Sequence, residues 1–129
     1  MRARVVLYNP ELKAILLIHR LKNERDYWVI PGGGAENQET PIETAIGEIN
    51  EELKIKLLPE KLKRLFEIDN EVIFLAQAGQ IKAPRISGEE KERSSTKNIY
   101  EPAWVTLKGL TTINLMPPEI AKQLLESVK

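Results

Sequence analysis

YWVIPGGGAENQETPIETAIGEINEELKI, residues 27–55, is where the chain changes pattern most sharply. An apolar, β-prone run at 27–30 stops at Pro31 and three glycines, and helical periodicity starts after a short polar link. Thr40 is a good N-cap, Pro41 suits the first helical position, and Glu43 completes a T-x-x-E capping box, so the spacing predicts a helix over 40–53. Ile42, Ala45, Ile46, Ile49 and Leu53 fall on one stripe at helical spacing, which must pack on a sheet. Glu48, Glu51 and Glu52 stand at i, i+3 and i+4, neighbours on a helix face, where mutual repulsion costs a few tenths of a kcal/mol per pair. A cation would relieve that cost. The acidity is local: residues 26–52 hold seven acidic side chains and no Lys or Arg, while the whole chain balances 19 Lys and Arg against 19 Asp and Glu.

Outward from this segment, residues 5–8 and 14–19 read as a hairpin turning at Asn9-Pro10-Glu11. A short turn is expected at 58–64. Strands are expected at 65–68 and 71–78 around a tight Asp69-Asn70 turn, and a last strand at 100–107 carries Trp104. Residues 82–98, polar and containing GEEKER, read as a long loop, the type that is usually a functional lid or disordered. A closing helix is expected at 118–128, with Ile120, Leu124, Leu125 and Val128 on its apolar side. Strands flanking one central and one terminal helix favour an α/β fold with a mixed sheet between helices.

The totals narrow the function. At 129 residues and 14.7 kDa one domain, 1–129, is expected. Zero net charge gives no basic footprint for nucleic-acid polymers or membrane surfaces. The absence of cysteine removes disulfides, thiolate nucleophiles and Cys-type zinc sites. The N-terminal residues lack the apolar core of a secretory signal, and AILLI at 14–18 is too short to span a bilayer, so a cytoplasmic location is expected.

Gly33, then Glu39 after five residues, then GEINEELKI after seven more resembles the Nudix box, G-x5-E-x7-R-E-U-x-E-E-x-G-U with U a bulky apolar residue. Over the 23 residues 33–55, seven of nine specified positions agree: Gly33, Glu39, Glu48, Ile49, Glu51, Glu52 and Ile55. Gly47 stands where the family has Arg, and Lys54 where it has Gly. WVIPGGG before the box and NIYEPAWVTL after the loop resemble the nucleotide-directed members.

The resemblance implies a Nudix-like α/β/α sandwich and Mg²⁺- or Mn²⁺-dependent hydrolysis of a nucleoside diphosphate linked to another group, with normal or oxidised nucleoside triphosphates among the substrates. Glu48, Glu51 and Glu52 would supply carboxylates to a hard cation, and any one of them is open as general base. Gly32 or Gly33 would offer a carbonyl oxygen. With no Cβ in the way, the backbone at Gly33 and Gly34 can approach metal or phosphate closely. Arg20 is a candidate phosphate contact, against the alternative of a surface ion pair. Glu90, in the loop, is a candidate further metal ligand. Glu39 is open between a metal-linked role and the acid expected near a helix N-terminus, Glu36 reads as surface, and His19 as a packed or edge residue.

The departures matter as well. In the family the box arginine helps orient the glutamates, so Gly47 removes that partner, and the alternatives are a looser, weaker site or substitution by another cation such as Arg20 or Arg93. Lys54 predicts a strained helix exit. The implied partner is a small-molecule nucleotide, and the resemblance leaves room for a homodimer. The competing readings are a catalytically silent Nudix-like binding module and a purely structural acidic helix.

Overall fold

The computed structural model describes residues 1–77 and 99–127. Its strands are β1 (Arg2–Asn9), β2 (Ala14–Lys22), β3 (Arg25–Val29), β4 (Gly32–Gly34), β5 (Lys63–Ile68), β6 (Glu71–Gln77), β7 (Ile99–Thr106) and β8 (Leu115–Met116). Helix α1 spans Pro41–Leu53 and helix α2 spans Pro118–Ser127. Short 3-10 turns at Pro59–Lys61 and Lys108–Thr112 complete the described elements.

The hairpins form where backbone conformation demands it. Asn9 Oδ1 accepts hydrogen bonds from the N–H groups of Glu11 (2.9 Å) and Leu12 (3.2 Å), closing the β1–β2 turn through its own side chain. Asp69 and Asn70, with φ of 47° and 62°, make the tight β5–β6 turn. Asn23 and Glu24, with φ of 52° and 65°, do the same between β2 and β3. Two left-handed residues in succession match the twist of the flanking strands.

The sheet is mixed and curled. Its main path runs β5-β6-β1-β2-β3-β8, with β4 paired to β1 and β7 to β2. β1 lies parallel to β6 and antiparallel to β2, while β3 lies parallel to β8. β1 changes partner along its length: residues 7–9 pair with β2 and residues 2–4 pair with β4. That split opens the sheet beside α1.

Alternation along β2 divides the core. Leu16 and Ile18 pack with Ala45, Ile49 and Leu53 of α1, whereas Ile15 and Leu17 pack with Ile120 and Leu124 of α2. The result is the Nudix-type α/β/α arrangement expected from the sequence.

Several expectations need correction in detail. The glycines are not a free turn: Gly32–Gly34 is a strand hydrogen-bonded to β1, and a Cβ on Gly32 would fall 2.2 Å from the carbonyl oxygen of Ala3. The strand expected at 27–30 is Arg25–Val29 and ends before Pro31, which has no N–H to continue a ladder. On α1 the buried stripe is Thr44, Ala45, Ile49 and Leu53, while Ile42 is 36% exposed. Ile42 belongs to the first turn, and Thr44 turns inward, its hydroxyl donating to Glu39 Oε1 (3.3 Å). β8 and the 3-10 turn before it were not expected, because a two-residue strand leaves no periodic trace. The loop expected at 82–98, with Glu90 and Arg93, lies outside the described residues, as do residues 78 and 128. Among the described residues no helix is long and apolar enough to cross a membrane.

Candidate active site

The capping box closes as the sequence predicts. Glu43 N–H donates to Thr40 Oγ1 (3.2 Å) and Thr40 N–H donates to Glu43 Oε1 (3.0 Å). Hydrogen bonding to its carboxyl from the Thr40 backbone, and then from the Thr40 side chain, lowers the Glu43 pKa from its ordinary value. Glu39 ties down the preceding link, accepting from Glu36 N–H (2.8 Å) as well as from Thr44. This rigid start fixes the azimuth of α1 over β4.

With that azimuth, Glu48 meets the glycine strand. A Cβ on Gly33 would lie 2.5 Å from Cδ and 2.6 and 2.8 Å from the two carboxylate oxygens of Glu48, so the carboxylate fills the space a side chain would take. Burial raises the Glu48 pKa above its ordinary value. The negative charges of Glu51, Glu36 and Glu39 add to the rise, and Arg2 opposes it. Glu36 is therefore more than incidental surface: its charge is felt at Glu48. Arg2, not singled out from the sequence, belongs to the site because β1 pairs it with Gly34. Only strand pairing reveals it, since nothing in RARVV distinguishes Arg2 from any first-strand cation.

Glu52 is half-buried and accepts a hydrogen bond at 3.2 Å from the hydroxyl of Tyr100 on β7. Glu51 is exposed. Arg20 sits on the same side of the sheet, its guanidinium carbon 4.8 Å from the ring centroid of Tyr100 and 5.9 Å from that of Tyr27. Its Nε is buried and has no hydrogen-bond partner among the described residues. Among the described residues Arg20 makes no ion pair. Its guanidinium is instead held over aromatic rings, an arrangement that suits a planar cation.

His19 lies on the opposite face. Its ring stacks on Trp28 with centroids 4.4 Å apart, and its Nε2 is 2.6 Å from Asp26 Oδ1. It is not brought to the carboxylates.

The donor set fits a hard divalent cation. Carboxylate oxygens and glycine carbonyls are the ligands Mg²⁺ accepts, and the Gly33 surface that a Cβ would fill gives Glu48 close backbone neighbours. Among the described residues no three acidic or His side chains are already gathered into an ion site. Glu48, Glu51 and Glu52 nevertheless stand within about one turn of α1, with Glu51 exposed and Glu52 half-buried.

Comparison with known proteins agrees with this geometry. The NUDIX domain family matches residues 1–126, and the chain belongs to the Nudix hydrolase family. That family comprises pyrophosphohydrolase-type enzymes that generally use divalent metal ions and act on small nucleotide substrates. No curated protein sequence matches the chain. Among solved structures, a MutT Nudix hydrolase from Burkholderia pseudomallei superposes with a TM-score of 0.69 at 24% identity, covering 99% of this chain and 96% of its own. An Ap4A hydrolase from C. elegans gives 0.68 at 20% identity, over 98% and 94%. The dihydroneopterin triphosphate pyrophosphohydrolase of E. coli gives 0.68 at 17% identity, over 98% and 93%. At these identities the likeness establishes the fold.

Proposed function

We propose that the chain is a divalent-metal-dependent pyrophosphohydrolase that cleaves the diphosphate linkage of a nucleoside diphosphate derivative, a normal or oxidised nucleoside triphosphate, to the monophosphate and pyrophosphate. The observation that carries the reading is the Glu48 carboxylate seated against Gly33, with Glu51 and Glu52 within one helical turn of it. In this reading Glu48, Glu51 and Glu52, together with a carbonyl of Gly32, would hold Mg²⁺ or Mn²⁺. Once bound, such an ion neutralises phosphate charge and activates water.

The remaining work belongs to the chain's own groups. Arg20, with its buried Nε, is the cation for substrate phosphate, and Gly33 and Gly34 let phosphate approach the β4 backbone. Glu48 is the carboxylate best suited to accept a proton, because burial and its acidic neighbours raise its pKa above that of an ordinary glutamate. Glu90 remains proposed as a further ligand. Incubating the protein with a nucleotide panel and Mg²⁺ or Mn²⁺ tests the reading, with monophosphate and pyrophosphate the expected products. Product no greater than that of a Glu51→Gln, Glu52→Gln double variant would sink it.

A second reading, a silent nucleotide-binding module, is favoured by Gly47, which leaves α1 without the box arginine and, among the described residues, has no neighbour beyond its own helix within 4 Å of a would-be Cβ. Calorimetry showing tight nucleotide binding without turnover would decide for it.

A further inference from the structure

We infer that Tyr100 is a positioning residue for Glu52, supplying from the sheet the orientation that the helix lacks at position 47. The inference rests on the metal-site reading above. The Tyr100 hydroxyl donates to Glu52 Oε1 at 3.2 Å, joining two residues 48 positions apart in sequence.

A glutamate on a helix has several freely rotating bonds, and ordering them when an ion arrives costs rotamer entropy. A hydrogen bond made beforehand removes part of that cost. The phenol is itself held in place. Arg20 stands directly opposite Tyr100 in the β2–β7 register and directly opposite Tyr27 in the β2–β3 register. Its guanidinium lies over both rings, so Tyr27, Arg20 and Tyr100 form one row across three strands that ends on the carboxylate. On α1, position 47 carries no side chain at all. A phenol also differs from an arginine in kind: it orients the carboxylate without adding a positive charge beside it.

The test is Mn²⁺ binding to the full chain, measured by calorimetry with the metal alone. Tyr100→Phe keeps the ring under Arg20 and removes only the hydroxyl. It is expected to weaken Mn²⁺ about tenfold, the low end of the effect of losing a partner to a metal ligand. In a Glu52→Gln background the same change is expected to do nothing further, because the two residues act as one unit. Tyr100→His, which keeps a ring with an N–H donor, should recover part of the loss. Unchanged affinity in Tyr100→Phe, additive losses in the double variant, or a His variant no better than Phe would each overturn the inference. If the unsubstituted protein binds no Mn²⁺, the metal-site reading fails first and this inference with it. That outcome is visible before any variant is made.

Discussion

At Gly33 an added methyl would lie 2.5 Å from Cδ of Glu48, and the group obliged to move is the far end of a flexible side chain rather than backbone. Gly33→Ala is therefore expected to leave thermal stability within about 1 kcal/mol of the parent, a typical span for a tolerated substitution, while displacing the carboxylate. Metal affinity and activity should fall by tenfold or more, as when the support of a ligand is lost. A thermal melt and a metal titration on the same sample separate the two effects, and a variant that unfolds or binds normally would contradict the account. Gly32 behaves differently. Its Cβ would strike the carbonyl oxygen and Cα of β1 itself, so the neighbouring glycines guard different things, one the sheet and one the carboxylate.

On helix α1, two departures from the family pattern have separate physical consequences. Gly47 has open space around its would-be Cβ, so Gly47→Ala should stabilise the helix by about 1 kcal/mol through reduced backbone entropy. Lys54 closes the helix at φ 57° and ψ 31°, the left-handed conformation that strains any residue with a Cβ, and its N–H still reaches Asn50 O at 3.0 Å. Lys54→Gly should recover about 1 kcal/mol of that strain. Chemical denaturation checks both, and a loss of stability in either variant would refute the assignment.

The helix is also the element most legible in the sequence. Its cap, its proline and its termination appear where local rules put them, because those rules act within a few residues. Ile42 falls outside the buried stripe and Thr44 inside it because burial at the first turn depends on how α1 leans on β4, which no periodicity encodes. The same limit hid Arg2 and Tyr100. Their relation to Glu48 and Glu52 exists only through strand pairing across dozens of residues.

At the scale of the molecule, the acidic cluster is a field assembled from α1, the link before it and the first strand. Burial, Glu51, Glu36 and Glu39 raise the Glu48 pKa, and Arg2 alone among the named causes lowers it. A carboxyl whose pKa is higher folded than unfolded stabilises the protein fully below the unfolded value of 4.5, and loses that contribution as pH rises through the folded value. Glu48→Gln, which mimics the protonated form, should be the more stable protein at pH 7, and the two should converge as pH falls through the folded pKa of Glu48. Urea denaturation at a series of pH values from below 4.5 upward reads this directly. A Gln variant less stable than the parent at neutral pH would remove Glu48 from the field described.

The alternation of β2 has a wider meaning for how such a chain can change over time. Leu16 and Ile18 face α1, and Ile15 and Leu17 face α2, with a layer of hydrogen-bonded backbone between them. The sheet thus insulates one half of the interior from the other. Drift in the residues beneath α2 can proceed by compensating exchanges among themselves, without altering where Glu48 and Glu52 point. Remodelling for greater robustness therefore belongs among the residues packed against α2, on the face of the sheet away from Glu48 and Glu52.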